Sequence, residues 1–61
     1  MCDMNAFLVD SGRQEMVMES VETVVRDGDG IRLSNIFGEE KTVDAVFEAI
    51  RDNKIFLLKR S

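Results

Sequence analysis

The chain has 61 residues with twelve acids against eight bases, a net charge of −4, a single cysteine and no histidine. A chain of that length holds one domain, residues 1–61, and buries only about 60% of its unfolded surface. A lone cysteine allows no internal disulfide, the missing histidines exclude a conventional all-protein zinc site within one chain, and the acidic balance is a poor start for phosphate contacts. Stability must then come from a regular core or from self-association, and a homodimer is expected.

Taken in chain order, short apolar runs alternate with turn signals. Ala6 to Val9 reads as a first strand and Asp10-Ser11-Gly12 as a turn. Gln14 to Met18 reads as a second run, followed by Val21, Thr23 and Val25 alternating with Glu22, Val24 and Arg26. Asp27-Gly28-Asp29-Gly30 contains the Asp-Gly pair that marks hairpins. Ile31, Leu33 and Asn35 then alternate with Arg32, Ser34 and Ile36, and Phe37-Gly38-Glu39-Glu40 is a weaker turn signal.

The segment 42–51 fits two periods. Val43, Val46, Phe47 and Ile50 make a helical stripe, whereas Val43, Ala45, Phe47 and Ala49 repeat every two residues. Asp52-Asn53 followed by the apolar run Ile55 to Leu58 favours a hairpin and hence a strand. Short strands with turns every ten or so residues predict an all-β chain, a small single-domain barrel, open or closed.

Cys2 is the soft donor of greatest interest. The amine of Met1, the amide nitrogen of Cys2 and its thiolate can close two five-membered chelate rings, a planar fork suited to nickel(II) or copper(II). The other reading of Cys2 is an inert buried thiol. Met4, Met16 and Met18 offer thioethers for copper(I), but methionine more often fills gaps in a small core. Asp3 and Asp10 are candidate hard or outer ligands, with turn formation the plainer role for Asp10.

Asp27 and Asp29 lack the spacing and closing glutamate of a calcium loop, and Gly28 and Gly30 precede no Lys-Ser or Lys-Thr helix start that would make a phosphate cradle. Neither Cys2 nor Ser11, Ser20, Ser34 and Ser61 has a histidine base, so no enzyme is expected. No apolar run of about 18 residues is present to span a membrane. The first residues lack a basic and apolar leader, and one unpaired thiol suits a reducing cytoplasm.

Met1-Cys2, the Asp10-Ser11-Gly12 turn, Glu15 to Val21, Asp27 to Leu33, and Ile36-Phe37-Gly38-Glu39-Glu40-Lys41 with a closing apolar strand together resemble the CooT family, accessory proteins of carbon monoxide dehydrogenase maturation. The resemblance runs over the whole chain, and only Met1-Cys2 bears on metal. It implies a small Sm/SH3-like β protein, a homodimer that binds one nickel(II) through Cys2 of both subunits, with a nickel enzyme such as carbon monoxide dehydrogenase as client. Relatives of this kind are often labelled predicted RNA-binding proteins. The alternative function is therefore a small RNA-binding module, which requires Arg13, Arg26, Arg32, Lys54, Lys59 and Arg60 to form one basic groove. A third reading is a structural subunit in which Cys2 is inert.

Overall fold

A computed structural model describes residues 4–60, so Met1, Cys2 and Asp3, and Ser61, lie outside the described residues. Six strands form one sheet: β1 (Met4–Asp10), β2 (Arg13–Asp27), β3 (Gly30–Asn35), β4 (Glu40–Val43), β5 (Ala45–Arg51) and β6 (Lys54–Lys59). Their order across the sheet is β4-β3-β2-β1-β6-β5. Neighbours are antiparallel except β1 and β6, which pair in parallel from Asn5–Lys54 to Val9–Leu58. The sheet curls until β3 approaches β5, giving a half-barrel.

All four turn signals lie in turns. Ser11 and Gly12 both have positive φ, as do Asp52 and Asn53, which is what a two-residue type I′ hairpin requires. Gly28 alone is positive in the 27–30 turn, the pattern of a type II′ hairpin. The runs 14–18 and 21–25 are halves of one fifteen-residue strand, β2. It pairs with β1 through its first half and β3 through its second, and Val21 faces both Met4 and Asn35. At the junction Ser20 takes a φ of 55° and its N–H donates to Asn5 Oδ1 at 3.2 Å.

The segment 42–51 is extended, as expected, but in two pieces. Asp44 is the corner between β4 and β5, and its carbonyl accepts from the Arg60 N–H at 3.1 Å. The core on the concave face is Ala6, Met18, Val21, Ile31, Leu33, Ala45, Ile55 and Leu57. Ile31, Leu33 and Asn35 are all buried, so the alternation expected of β3 holds. On the convex face Phe7 stacks on Phe56, with ring centroids 6.0 Å apart, and the Arg51 guanidinium lies 4.6 Å from the Phe56 ring centre.

Candidate metal centre

The residues nearest the N-terminus form a firm platform. β1 is a central strand, hydrogen-bonded on both sides, so the chain leaves Met4 from the middle of the sheet. The Asn5 N–H donates to Asn53 O at 3.2 Å, while Asn5 Oδ1 receives the Ser20 N–H. Two strands across from Met4, by way of Val21, lies Asn35 at the end of β3.

Asn35 is the one buried polar residue among those described, and its amide is fully used. Nδ2 donates to Glu19 O at 3.3 Å and to Glu39 Oε1 at 2.7 Å. Oδ1 accepts from the N–H groups of Phe37 at 3.1 Å and Glu39 at 2.9 Å. These bonds, with Ile36 N–H to Ser20 O, hold the 36–39 turn against β2. The turn buries its polar residue and leaves Ile36 and Phe37 60% and 65% exposed.

The candidate ligands Cys2 and Met1, and Asp3, fall outside the described residues. Among those described, no group of three or more His, Cys, Asp or Glu side chains converges as a metal site. Met18 is in the core and Met4 packs against it, whereas Met16 is half exposed opposite Phe7, so the three thioethers are not gathered into one donor set. Asp10 accepts from Ser11 Oγ at 3.3 Å and lies 3.5 Å from Lys59 Nζ, which is the turn role. With no histidine in the chain, its one thiol, Cys2, is its strongest soft donor, beside the four methionine thioethers.

The basic residues do not share one groove. Arg26 and Arg60 flank a concave groove of about 790 Å³ floored by Val24, Ile31, Phe47 and Ile50. Arg13 and Lys59 line a smaller one at the C-terminal ends of the parallel pair β1 and β6. Three of the six cations sit beside carboxylates: Arg32 with Asp27 and Glu40, Lys59 with Asp10, and Arg60 with Asp44. No helix is long and apolar enough to cross a membrane among the described residues.

The family model described as CO dehydrogenase accessory protein CooT matches residues 1–58. A crystal structure of a candidate CooT from Carboxydothermus hydrogenoformans superposes with a TM-score of 0.89, covering 98% of this chain and 100% of that one at 29% identity. No curated protein matches the chain. That family is one of accessory proteins, in keeping with the expectation that the chain is not itself a catalyst. The match takes in nearly the full length and every described strand but the last residue of β6, so this chain belongs to the CooT family.

Proposed function

We propose that this chain is a nickel(II)-binding accessory protein of carbon monoxide dehydrogenase maturation, with nickel as its cargo. The observation that carries the reading is that a family match including position 2 coincides with the chain's only thiol. Residues 1–61 act as one CooT-like domain, a small Sm/SH3-like barrel in the cytoplasm that works as a homodimer. Each copy contributes the Cys2 thiolate and one nitrogen, from the Met1 amine or the Cys2 amide, so one four-donor set serves two chains. Thiolate and deprotonated nitrogen suit square-planar nickel(II). A client enzyme that needs nickel is the recipient.

Nickel titrated into the metal-free protein should produce thiolate-to-nickel absorption that saturates at one metal per two chains. Cys2→Ser should abolish that absorption and cut affinity at least about 100-fold, since removing a principal metal ligand costs more than removing its hydrogen-bond support. The described core contains no cysteine, so the variant should keep its fold and melting temperature. Affinity should fall steadily as pH is lowered, because protons compete for the thiolate. Unchanged affinity and stoichiometry in Cys2→Ser would end this reading.

A further inference from the structure

We propose that the concave groove docks the C-terminal end of another protein, an extended apolar segment lying along the open edge of β5 with its terminal carboxylate against Arg26 and Arg60. The inference draws on the groove and does not depend on nickel.

The groove is a stretch of core left unfilled. Phe47 is directly opposite Leu57, and Ile50 opposite Ile55, across the β5–β6 pair. Residues directly opposite one another share a face of the sheet. Leu57 and Ile55 are buried, 0% and 2% exposed, whereas Phe47 and Ile50 on the same face are 50% and 53% exposed. They lack cover because the sheet stops at β5, which pairs with β6 alone. Val24 and Ile31 complete the apolar floor, and the groove above it holds about 790 Å³. Binding clefts run from about 300 to 1,000 Å³.

The positive charge stands at one end. Arg26 is opposite Ile31, and Ile31 is opposite Val43. Arg60 Nε lies 3.3 Å from Oδ1 of Asp44, the residue after Val43. Both arginines are therefore at the Ala45 end of β5, and Ile50 is five residues farther along, about 16 Å away. Arg26 makes no ion pair with the described residues. The five-donor fork of Arg60 can serve a second acceptor besides Asp44. With Asp29, two arginines against one aspartate give the lining a charge of +1 in a chain of −4. An apolar channel with a cationic end suits an occupant with an apolar body and one terminal anion.

The edge decides which occupant. The outer side of an edge strand offers unpaired N–H and C=O groups, and an extended segment that adds to it gains a row of backbone hydrogen bonds. Antiparallel addition, the slightly stronger pairing, places the incoming C-terminus beside Ala45, where the arginines are. A parallel segment would carry its carboxylate to the Ile50 end. A free fatty acid would match the floor and the arginines but leave the edge unpaired. An accessory protein also acts on another protein, which favours a protein segment.

The test uses the full chain and three N-acetylated pentapeptides of alternating valine and threonine, ending in valine, isoleucine or phenylalanine. Each is titrated as the free acid and as the C-terminal amide, with decanoate as the free-acid probe, and amide resonances are followed. At least one free-acid peptide should bind with a dissociation constant below about 1 mM, shifting the resonances of 46–50. Its amide should bind at least about tenfold more weakly, since a hydrogen bond to a charged group is lost. Phe47→Asp and Arg26→Glu should each weaken binding by a similar factor, with the fold confirmed by circular dichroism. Met16→Asp, on the half-exposed residue opposite Phe7 on the convex face, should leave it unchanged. Weaker binding by all three peptides, or equal binding of acid and amide, overturns the proposal. Decanoate that binds more tightly than every peptide assigns the groove to free acids and overturns it as well. So does sedimentation showing that the parent chain alone self-associates and folded Phe47→Asp does not, because a second copy then fills the groove.

Discussion

At the scale of the residue, Asn35 carries more of the described structure than its size suggests. Truncation by Asn35→Ala removes a buried amide and leaves the N–H groups of Phe37 and Glu39 and the carbonyl of Glu19 without their partner. Unpaired buried groups cost about 1–3 kcal/mol each before water relieves them, so a net loss of roughly 3 kcal/mol is expected. For a chain this small that lowers Tm by well over 10 °C, checked by thermal melting. Asn35→Asp keeps the acceptor for both N–H groups but sets a second carboxylate at hydrogen-bond distance from Glu39 Oε1. Like charges so placed hold one proton between them, which raises the folded-state pKa above that of the unfolded chain. The resulting stability is present at low pH and lost as pH rises. Asn35→Asp should therefore melt well below the parent at pH 7 and approach it as the pH falls below about 5. A deficit independent of pH would show that the two carboxyls are not in contact.

At the scale of the element, the turns were legible because their chemistry is local. Asp-Gly, Ser-Gly and Asp-Asn state a backbone conformation in two residues. The strand faces were less legible, and bulges are the reason. Val21 and Val24 both pack in or against the core although they are three apart, because the register with β3 shifts between Val21 and Thr23. Phe47 and Ile50 both line the concave groove although they too are three apart, because the register with β6 shifts between Phe47 and Ala49. A bulge inserts one residue and turns a period of two into a local step of three. That step produced the helical stripe in 42–51: Phe47 and Ile50 share a face through a bulge, not through a helical turn. The break in that segment was hidden for a different reason, since nothing in the composition around Asp44 marks a corner.

One close approach in this region can be tested directly. A Cβ on Gly30 would sit 2.6 Å from the carbonyl oxygen of Val43, a backbone atom of the paired strand β4. Unlike a side-chain tip, that carbonyl moves only if the strand moves. Gly30→Ala should therefore cost about 2 kcal/mol by pushing the end of β4 off β3, in line with other forced insertions into packed structure. Amide exchange should locate the damage at Lys41–Val43, while the β1–β6 pairing keeps its protection.

At the scale of the whole molecule, what could be read of the site differs from what could be read of the fold. A lone thiol at position 2 is visible as a count and a position, yet which residues surround it in an assembly depends on pairings across the sheet that no local pattern states. In sequence Ile36 reads as the end of an alternating strand and Phe37 as the start of a turn, and only the turn that buries Asn35 brings both outward. Half of the basic residues fall within 51–60 in sequence, yet the sheet distributes the candidate cations over separate grooves with carboxylates beside three of them.

The proposed assembly also predicts how metal and association depend on each other. If the four donors come from two chains, nickel binds the dimer and not the separated chain. A ligand that binds one state alone stabilises it by RT ln(1 + [L]/Kd), so free nickel at 100 times its dissociation constant is worth about 2.7 kcal/mol. The dimer dissociation constant should then fall about 100-fold on adding nickel at that level. By reciprocity, diluting the protein toward single chains should weaken apparent nickel affinity. Sedimentation at a series of dilutions, with and without nickel, measures the first effect, and absorption titrations at two protein concentrations measure the second. Cys2→Ser should lose both, because each effect depends on the thiolate that the variant lacks. Nickel affinity that stays constant as the parent chain is diluted through its own dissociation would mean that one chain holds the metal alone, and the shared site would have to be abandoned.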